Sequence, residues 1–214
     1  MKVSSESMLV YAVTDRTHLG DRTLKQQVEE ALRGGATFVQ LREKDLPADE
    51  FLAEAVEIRD VCRKYGVPFV INDNVSVALA CDADGVHVGQ EDMKAQDVRA
   101  LLGPDKIIGV SAHNAEEARE ALRCGADYLG AGAVFATGTK TNVTAMSRET
   151  LTEICAAVDI PVVAIGGISV SNMEQLAGTG VDGVAVVSAI FSQKDARAAA
   201  EALRKKAEEL FGTK

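Results

Sequence analysis

Short apolar runs rich in β-branched residues alternate with amphipathic segments along the whole chain. In the first amphipathic segment Leu24, Val28 and Leu32 recur at the spacing of one helix face, and in the second Phe51, Ala55 and Ile58 do the same. Strands that alternate with helices predict repeated β-α units and a parallel sheet. The apolar runs predict eight strands: Leu9–Val13, Phe38–Leu41, Pro68–Ile71, Gly85–Val88, Ile107–Val110, Tyr128–Ala131, Val162–Ile165 and Gly183–Val187.

A short recurring segment marks the passage from a helix to the next strand. It reads Gly125-Ala126-Asp127-Tyr128 in one unit and Gly180-Val181-Asp182-Gly183 in another, and glycine suits a helix C-terminus. An open doubly wound sheet could use the same device. Eight uninterrupted units favour closure, which removes the exposed sheet edges. We therefore predict an α/β fold, a (β/α)8 TIM barrel, with residues 1–214 as a single domain.

Composition and charge narrow the classes of partner. The 214 residues are 47% hydrophobic and carry a formal net charge of -9, which opposes general binding to nucleic acid or to an anionic membrane. The start of the chain does not resemble a signal peptide, and no apolar run approaches membrane-spanning length. The four cysteines are dispersed without metal-ligand spacing, which favours reduced, structural thiols. We expect a cytoplasmic protein with small-molecule substrates, and a homo-oligomer is compatible with the sequence.

Polar residues follow the predicted strands in nearly every unit. In a barrel of this kind the active site lies at the carboxyl ends of the strands, so these residues should converge on one face. Of the three histidines, we expect His18 in a surface loop and His87 hydrogen-bonded within a strand, and His113 is either a supporting residue or a substrate contact. The polar residues after the strands include Asp15, Gln40, Arg42, Lys44, Asn72, Asp73, Gln90, Asp92, Ser111, Lys140 and Ser188.

Two pairs of charged residues suggest a site for a bound diphosphate. Arg42 and Lys44 alternate on an extended segment, which lets both side chains meet one anion, although basic residues in loops are usually only solvated. Asp73 and Asp92 follow neighbouring strands, where two carboxylates, phosphate oxygens and waters would suit Mg²⁺. The alternative for the aspartates is helix capping.

Phosphate contacts are also expected from the later loops. The segment Gly130–Met146 is long for a β-α connection, and its Thr137-Gly138-Thr139-Lys140 offers hydroxyls, backbone N–H groups and a cation. Gly166-Gly167 follows the seventh strand and Ser188 the eighth, where many barrels bind phosphate on backbone N–H groups. The two glycines could equally serve only a tight turn.

Several motifs in order resemble the thiamine-phosphate synthase family: Gln40-Leu41-Arg42-Glu43-Lys44-Asp45, Ile71-Asn72-Asp73, Gly89-Gln90-Glu91-Asp92 and Thr137-Gly138-Thr139-Lys140. The likeness runs from about the first strand to the eighth. Ala112 and Ala136 depart from the family pattern, which often has threonine and proline there, and neither change removes a charged group.

This resemblance implies a role for each matching position. Pyrimidine diphosphate would be bound by Gln40, Leu41, Arg42, Glu43, Lys44, Asn72, Ser111 and Lys140, of which Arg42, Lys44, Ser111 and Lys140 would be catalytic. Thiazole phosphate would be bound by Thr137, Gly138, Thr139, Gly167, Val187 and Ser188, and Asp73 and Asp92 would bind Mg²⁺. The implied reaction is departure of pyrophosphate from the pyrimidine methylene, followed by attack of the thiazole nitrogen.

Two other functions remain open at this stage. A thiazole tautomerase of the same superfamily resembles the synthase, but such relatives carry histidine where this chain has Ala133. A non-catalytic phosphate-binding barrel is compatible with the fold alone. A turnover assay with both substrates separates such a binding protein from the synthase.

Overall fold

The computed structural model of the chain describes residues 3–136 and 145–212. In these two ranges the backbone forms eight strands: β1 Val10–Val13, β2 Phe38–Leu41, β3 Phe69–Asn72, β4 Gly85–Val88, β5 Ile107–Ala112, β6 Tyr128–Gly132, β7 Val162–Ile165 and β8 Gly183–Val186. The α-helices are α1 Leu24–Arg33, α2 Ala48–Tyr65, α3 Val75–Ala80, α4 Ala95–Leu102, α5 Ala115–Arg123, α6 Arg148–Ala156, α7 Ser188–Phe191 and α8 Ala196–Phe211. Short 3-10 helices occur at Glu6–Met8, Arg16–His18 and Met173–Leu176.

The eight strands form one closed barrel in sequence order, and every neighbouring pair is parallel. Closure is made by β8 and β1, where Val184 is the register partner of Val10. No strand of the barrel is therefore left with an open edge, as predicted from the eight repeated units. The closed (β/α)8 barrel predicted from the sequence is confirmed.

Side-chain caps fix where several of the helices begin. Thr23 precedes α1 and accepts a hydrogen bond from the Gln26 N–H, while the Gln26 side chain accepts from the Thr23 N–H. Asn74, Asn114 and Asp195 cap α3, α5 and α8 in the same way, each accepting from a backbone N–H three residues on. These caps satisfy N–H groups that have no partner within the helix.

Apolar side chains pack in two layers that the barrel wall separates. One layer fills the barrel interior and includes Tyr11, Phe38, Ile107, Tyr128 and Val163. The larger layer lies between the strands and the surrounding helices. Because side chains alternate along a strand, residues such as Leu41 and Ile71 face the helices, whereas their neighbours face the interior. The interior layer closes the floor of the barrel and leaves its carboxyl-terminal end for polar residues.

The observed elements differ from the predicted ones mainly at their ends. β5 continues to Ala112, so Ser111 lies within a strand and not after it, and β3 ends at Asn72, one residue later than predicted. The connection between β7 and β8 uses the short 3-10 helix Met173–Leu176 in the place of an α-helix. In the described part of the chain, no helix is both long and apolar enough to cross a membrane.

Candidate active site

A cavity opens at the carboxyl-terminal end of the barrel, which we call the rim. Residues from all eight strands, or from the loops that directly follow them, line it. A second depression adjoins the cavity, and Arg42 and Ser188 border both, while Glu43 and Lys44 line the second alone. Seven of the predicted site residues line the main cavity: Gln40, Arg42, Asn72, Ser111, Gly167, Val187 and Ser188.

Thr14 fixes the backbone that carries Arg42. Its side chain is fully buried, and its Oγ1 accepts a hydrogen bond from the Arg42 N–H at 2.9 Å. The Thr14 N–H in turn donates to the Gln40 carbonyl at 2.9 Å, which joins the ends of β1 and β2. Arg42 therefore leaves the barrel wall at a defined point, with its guanidinium group available at the cavity and at the adjoining depression.

Three residues near Arg42 and Lys44, namely Leu41, Glu43 and Arg16, make contacts with other residues of the protein. The Leu41 side chain is completely buried in the layer that faces the helices, so a substrate could contact Leu41 only through its backbone. Arg16 Nε donates to Glu43 Oε2 at 2.8 Å, and Arg16 Nη2 donates to both carboxylate oxygens of Glu54 on α2 at 2.9 Å. We call Arg16, Glu43 and Glu54 the Arg16 cluster.

Glu54 has a perturbed pKa in the Arg16 cluster. Partial burial and the adjacent Glu43 carboxylate raise the pKa of Glu54 to about 7, against a smaller opposing effect of Arg16. The Oε1 atom of Glu43 is buried, and no N–H or O–H donor in the described ranges reaches it while Glu54 is ionised. A Glu54 carboxyl group that holds its proton supplies such a donor, which agrees with the raised pKa of Glu54.

The two predicted metal ligands lie at the same end of the barrel. Asp73 follows β3 with a positive φ of 60°, its N–H donates to the His87 carbonyl, and its Oδ2 accepts from Asn72 Nδ2 at 2.6 Å. Asp92 follows β4, and its Oδ2 accepts from the Gly89 N–H at 2.8 Å. Both side chains are exposed, so a ligand at the rim can reach them.

These donors fit the chemistry of Mg²⁺. Within residues 3–136 and 145–212 no cluster of three or more His, Cys, Asp or Glu side chains is arranged to hold a metal. Mg²⁺ commonly binds through one or two carboxylates and completes its octahedron with substrate phosphates and water. Asp73 and Asp92 supply oxygen atoms of this kind and leave the other positions to a phosphorylated substrate.

A network of hydrogen bonds crosses the barrel interior beneath the cavity. Gln40 Nε2 donates to the Tyr11 hydroxyl at 2.6 Å, and the Tyr11 and Tyr128 hydroxyls are 2.7 Å apart. His87 Nδ1 lies 3.0 Å from the Tyr128 hydroxyl, and His87 Nε2 lies 3.1 Å from Ser111 Oγ. We call these five residues the interior network. The prediction that His87 is a hydrogen-bonded strand residue is confirmed.

Two glycines make room for the interior network. A Cβ atom at Gly109 would overlap the Tyr128 ring, and a Cβ at Gly130 would lie 3.2 Å from His87 Cε1. Burial raises the pKa of the Tyr11 hydroxyl and of the Tyr128 hydroxyl, so both stay protonated at neutral pH. The two phenols are therefore neutral and closely packed.

The loop after β7 approaches the segment that follows β6. Gly166 and Gly167 have positive φ angles of 104° and 63°, and the Phe135 N–H donates to the Gly166 carbonyl at 3.1 Å. A Cβ at Gly167 would overlap the Ala136 carbonyl oxygen. Close approach therefore requires glycine here, and the loop also lines the cavity. Thr137, Gly138, Thr139 and Lys140 lie outside the described residues.

Sequence reasoning did not assign the two tyrosines of the interior network to the site. Tyr11 lines the cavity, and Tyr128 lies beneath it in the barrel interior. Alternate residues of a strand share a face, so counting positions back from each strand end could have identified both. Tyr11 lies two residues before the end of β1, on the same side of the sheet as Val13, in a strand of otherwise aliphatic residues. His113 is exposed at the rim, where its Nδ1 lies 2.8 Å from Glu117 Oε2.

Comparisons with known proteins agree with this geometry. Residues 10–190 match the family model described as thiamine monophosphate synthase. The chain is 52% identical to the thiamine-phosphate synthase of Ruminiclostridium cellulolyticum over 194 residues, which cover 91% of this chain and 92% of that one. It is 50% identical to the thiamine-phosphate synthase of Clostridium tetani over 194 residues, covering 91% and 93% of the two chains.

A solved structure extends the similarity to the whole barrel. The thiamine phosphate pyrophosphorylase from Pyrococcus furiosus superposes with a TM-score of 0.89 at 43% identity, covering 97% of this chain and 99% of that one. The match with the family model spans more than half of the chain and includes all eight strands in full and the first residues of α7. This chain therefore belongs to the thiamine monophosphate synthase family.

Proposed function

We propose that the chain joins a hydroxymethylpyrimidine diphosphate to a hydroxyethylthiazole phosphate, giving thiamine phosphate and pyrophosphate. The observation that carries this proposal is the meeting of Gln40, Arg42, Asn72, Ser111 and Gly167 on one cavity, in a chain of this family. The substrates are small molecules. A carboxylated form of the thiazole phosphate is a further candidate for the second substrate.

The reaction needs an electrophilic carbon and a neutralised leaving group. The bond between the pyrimidine methylene carbon and a diphosphate oxygen breaks, and its electron pair leaves with pyrophosphate. The cation that remains is delocalised into the aminopyrimidine ring, and the lone pair of the thiazole nitrogen then forms the new carbon–nitrogen bond. No redox partner and no protein nucleophile are required, so catalysis consists of positioning and of charge stabilisation.

The cations near the rim would stabilise the leaving group. Arg42 and Lys44 border the same depression beside the cavity, where they would bind diphosphate oxygens together with Lys140. Asn72 and Ser111 line the cavity and would donate hydrogen bonds to the same group. Fixed positive groups lower the free energy of the transition state because negative charge grows on pyrophosphate as the bond breaks.

Asp73 and Asp92 would hold Mg²⁺ against the diphosphate. When bound, the ion would neutralise negative charge on the leaving group. The hydrogen bonds from Asn72 and from the Gly89 N–H orient one oxygen of each carboxylate and keep both groups at the carboxyl ends of adjacent strands. This preorganisation supports a metal role for the pair over simple capping.

The remaining predicted contacts would hold the thiazole phosphate at the ends of β7 and β8. Gly167, Val187 and Ser188 lie after β7 and β8 and line the cavity there. Thr137, Gly138 and Thr139 would complete that site. Ala133 also lines the cavity, so the histidine that marks the tautomerase relatives has no counterpart here. Cys62 and Cys81 are buried, free thiols, which suits the reducing cytoplasm in which we place the reaction.

The test is a turnover assay with both phosphorylated substrates, with and without Mg²⁺, that detects thiamine phosphate. We expect product only when both substrates and the metal are present. Replacing Lys140→Ala should lower kcat by roughly 10²-fold, the usual loss for one group that stabilises transition-state charge. Lys205→Ala, which removes an exposed lysine in the second half of α8, is the matched control. Absence of thiamine phosphate from the complete mixture with wild-type protein would refute the proposed function.

A further inference from the structure

The hydrogen bonds of the interior network have a defined direction. Gln40 uses its Nε2, a donor only, on the Tyr11 hydroxyl, so the Tyr11 oxygen is an acceptor in that bond. Within the described residues the Tyr11 proton then has one acceptor, the Tyr128 hydroxyl. Tyr128 accepts from Tyr11, and its own O–H donates a hydrogen bond to His87 Nδ1. Each phenol supplies one proton, because burial keeps both in the neutral form.

This direction determines the state of the His87 ring. Since Nδ1 accepts from Tyr128, it carries no proton, and the neutral ring has its proton on Nε2. Nε2–H therefore donates to Ser111 Oγ. Ser111 Oγ has no other partner in the described parts of the chain, so its own proton is available to an acceptor in the cavity. With the opposite direction, Ser111 would donate to His87 and offer the cavity only lone pairs.

We propose that His87 is a positioning residue, held as the Nε2–H tautomer by the interior network, which directs the Ser111 hydroxyl proton toward the anionic diphosphate of the substrate. The inference deepens the proposed function and rests on it for the identity of the anion. Its mechanism moves no proton and breaks no bond. It makes Ser111 a donor at the moment when charge grows on the leaving group, and hydrogen bonds to charged acceptors are the stronger ones.

The space around His87 supports a role that depends on ring orientation. Gly130 lies beside His87 in the barrel interior, and its missing side chain leaves room for the ring edge between Tyr128 and Ser111. The His87 and Tyr128 rings are 5.5 Å apart between centroids. Packing thus holds the ring in the plane where its two nitrogens meet two different hydroxyl groups.

The first test reads the tautomer directly in the wild-type protein. The chain has three histidines, so ¹⁵N-histidine labelling gives three sets of ring nitrogen signals, and a His87→Gln sample assigns the set that disappears. We expect a protonated Nε2 and an unprotonated Nδ1 for His87 at neutral pH. A proton on Nδ1, alone or together with one on Nε2, would overturn the inference.

A matched pair of variants tests the consequence for catalysis. In His87→Gln the amide nitrogen reaches the place of Nε2 and can still donate to Ser111. In His87→Asn the shorter side chain reaches only the place of Nδ1. We expect kcat to fall by roughly 10- to 100-fold in the Asn variant, the range for one misdirected hydrogen bond to a charged group, and to recover largely in the Gln variant. Equal kcat values in the two variants would contradict the inference.

A double-mutant cycle separates positioning from a general structural effect. If His87 acts through Ser111, His87→Asn should cost little further activity in a Ser111→Ala background, and additive losses would contradict this. Thermal melting of each variant checks that it folds, and the tautomer measurement needs no variant to be stable. If wild-type protein makes no thiamine phosphate, the proposed function fails while the tautomer result stands. An Nδ1–H ring in an active enzyme refutes only the inference.

Discussion

Replacing Glu54→Gln should stabilise the protein at alkaline pH and leave its stability unchanged at acidic pH. The carboxyl group of Glu54 is partly buried beside Glu43, which raises its pKa from 4.5 to about 7. A folded-state pKa above the unfolded value means that the folded protein holds this proton more tightly. The stabilisation is therefore present below about pH 4.5 and is lost as the pH rises through about 7. Glutamine resembles the protonated carboxyl group at every pH, because its amide donates to Glu43 and its carbonyl accepts from Arg16.

The size of the effect follows from the pKa shift and the exposure of the group. A shift from 4.5 to about 7 corresponds to at most ~3.5 kcal/mol, at ~1.4 kcal/mol for each pKa unit. The Glu54 side chain is 21% exposed and Arg16 is 41% exposed, so solvent screening reduces this to about 1 kcal/mol. For a protein of this length, 1 kcal/mol changes Tm by about 2–4 °C. We therefore expect the variant to melt about 2–4 °C above wild type when Glu54 would be ionised.

The assay is calorimetry of wild type and variant at about pH 5 and about pH 8, on either side of the Glu54 pKa. Glu57→Gln makes the same change of charge at an exposed position on the same helix, and it serves as the control for net charge. An equal Tm difference at both pH values would refute the raised pKa of Glu54. The same conclusion follows if Glu57→Gln reproduces the pH dependence.

Three further predictions address the packing and the site. Gly109→Ala should lower the free energy of unfolding by about 2 kcal/mol or more, because the new methyl group overlaps the buried Tyr128 ring. A urea titration with the same midpoint as wild type would contradict this. Asp73→Asn and Asp92→Asn should each lower kcat by roughly 10²-fold and raise the Mg²⁺ concentration needed for half-maximal activity. Near-normal values in both variants would refute the proposed pair of metal ligands. Thr14→Val should raise KM for the pyrimidine diphosphate about fivefold, since the Arg42 N–H loses its acceptor, and an unchanged KM would contradict that role.

The fold was predictable because parallel strands buried on both faces leave a strong signal in the sequence. The strands Phe38–Leu41, Gly85–Val88 and Val162–Ile165 have the predicted bounds, and each is an apolar run between polar or glycine segments. The ends of the strands were harder to predict than their centres, because a strand can continue through polar residues into the site. Ser111 is such a case, since β5 continues past it to Ala112.

The arrangement of the site was predictable only in part. The position of a residue after a strand indicates the rim, and that rule placed Arg42, Asn72 and Ser188 at the cavity. The rule says nothing about contacts across the barrel. The bond between the Tyr11 and Tyr128 hydroxyls joins residues 117 positions apart, and only the closed barrel brings β1 and β6 together. The contacts of Leu41 and Glu43 likewise depend on the direction of each side chain, and the family resemblance does not predict that direction.

The Arg16 cluster explains how an acidic protein can present a positive site. The chain carries a formal charge of -9, and a glutamate stands between Arg42 and Lys44 in the sequence. Without a positive partner, the Glu43 carboxylate would weaken anion binding in this depression. Its negative charge would largely cancel the attraction of a neighbouring cation for the anion. Arg16 binds its carboxylate at 2.8 Å, and the raised pKa of Glu54 reduces the negative charge beside it near neutral pH, so the cluster holds Glu43 at the loop with little net negative charge. With Glu43 compensated in this way, Arg42 and Lys44 can attract a diphosphate to a protein whose total charge would repel it.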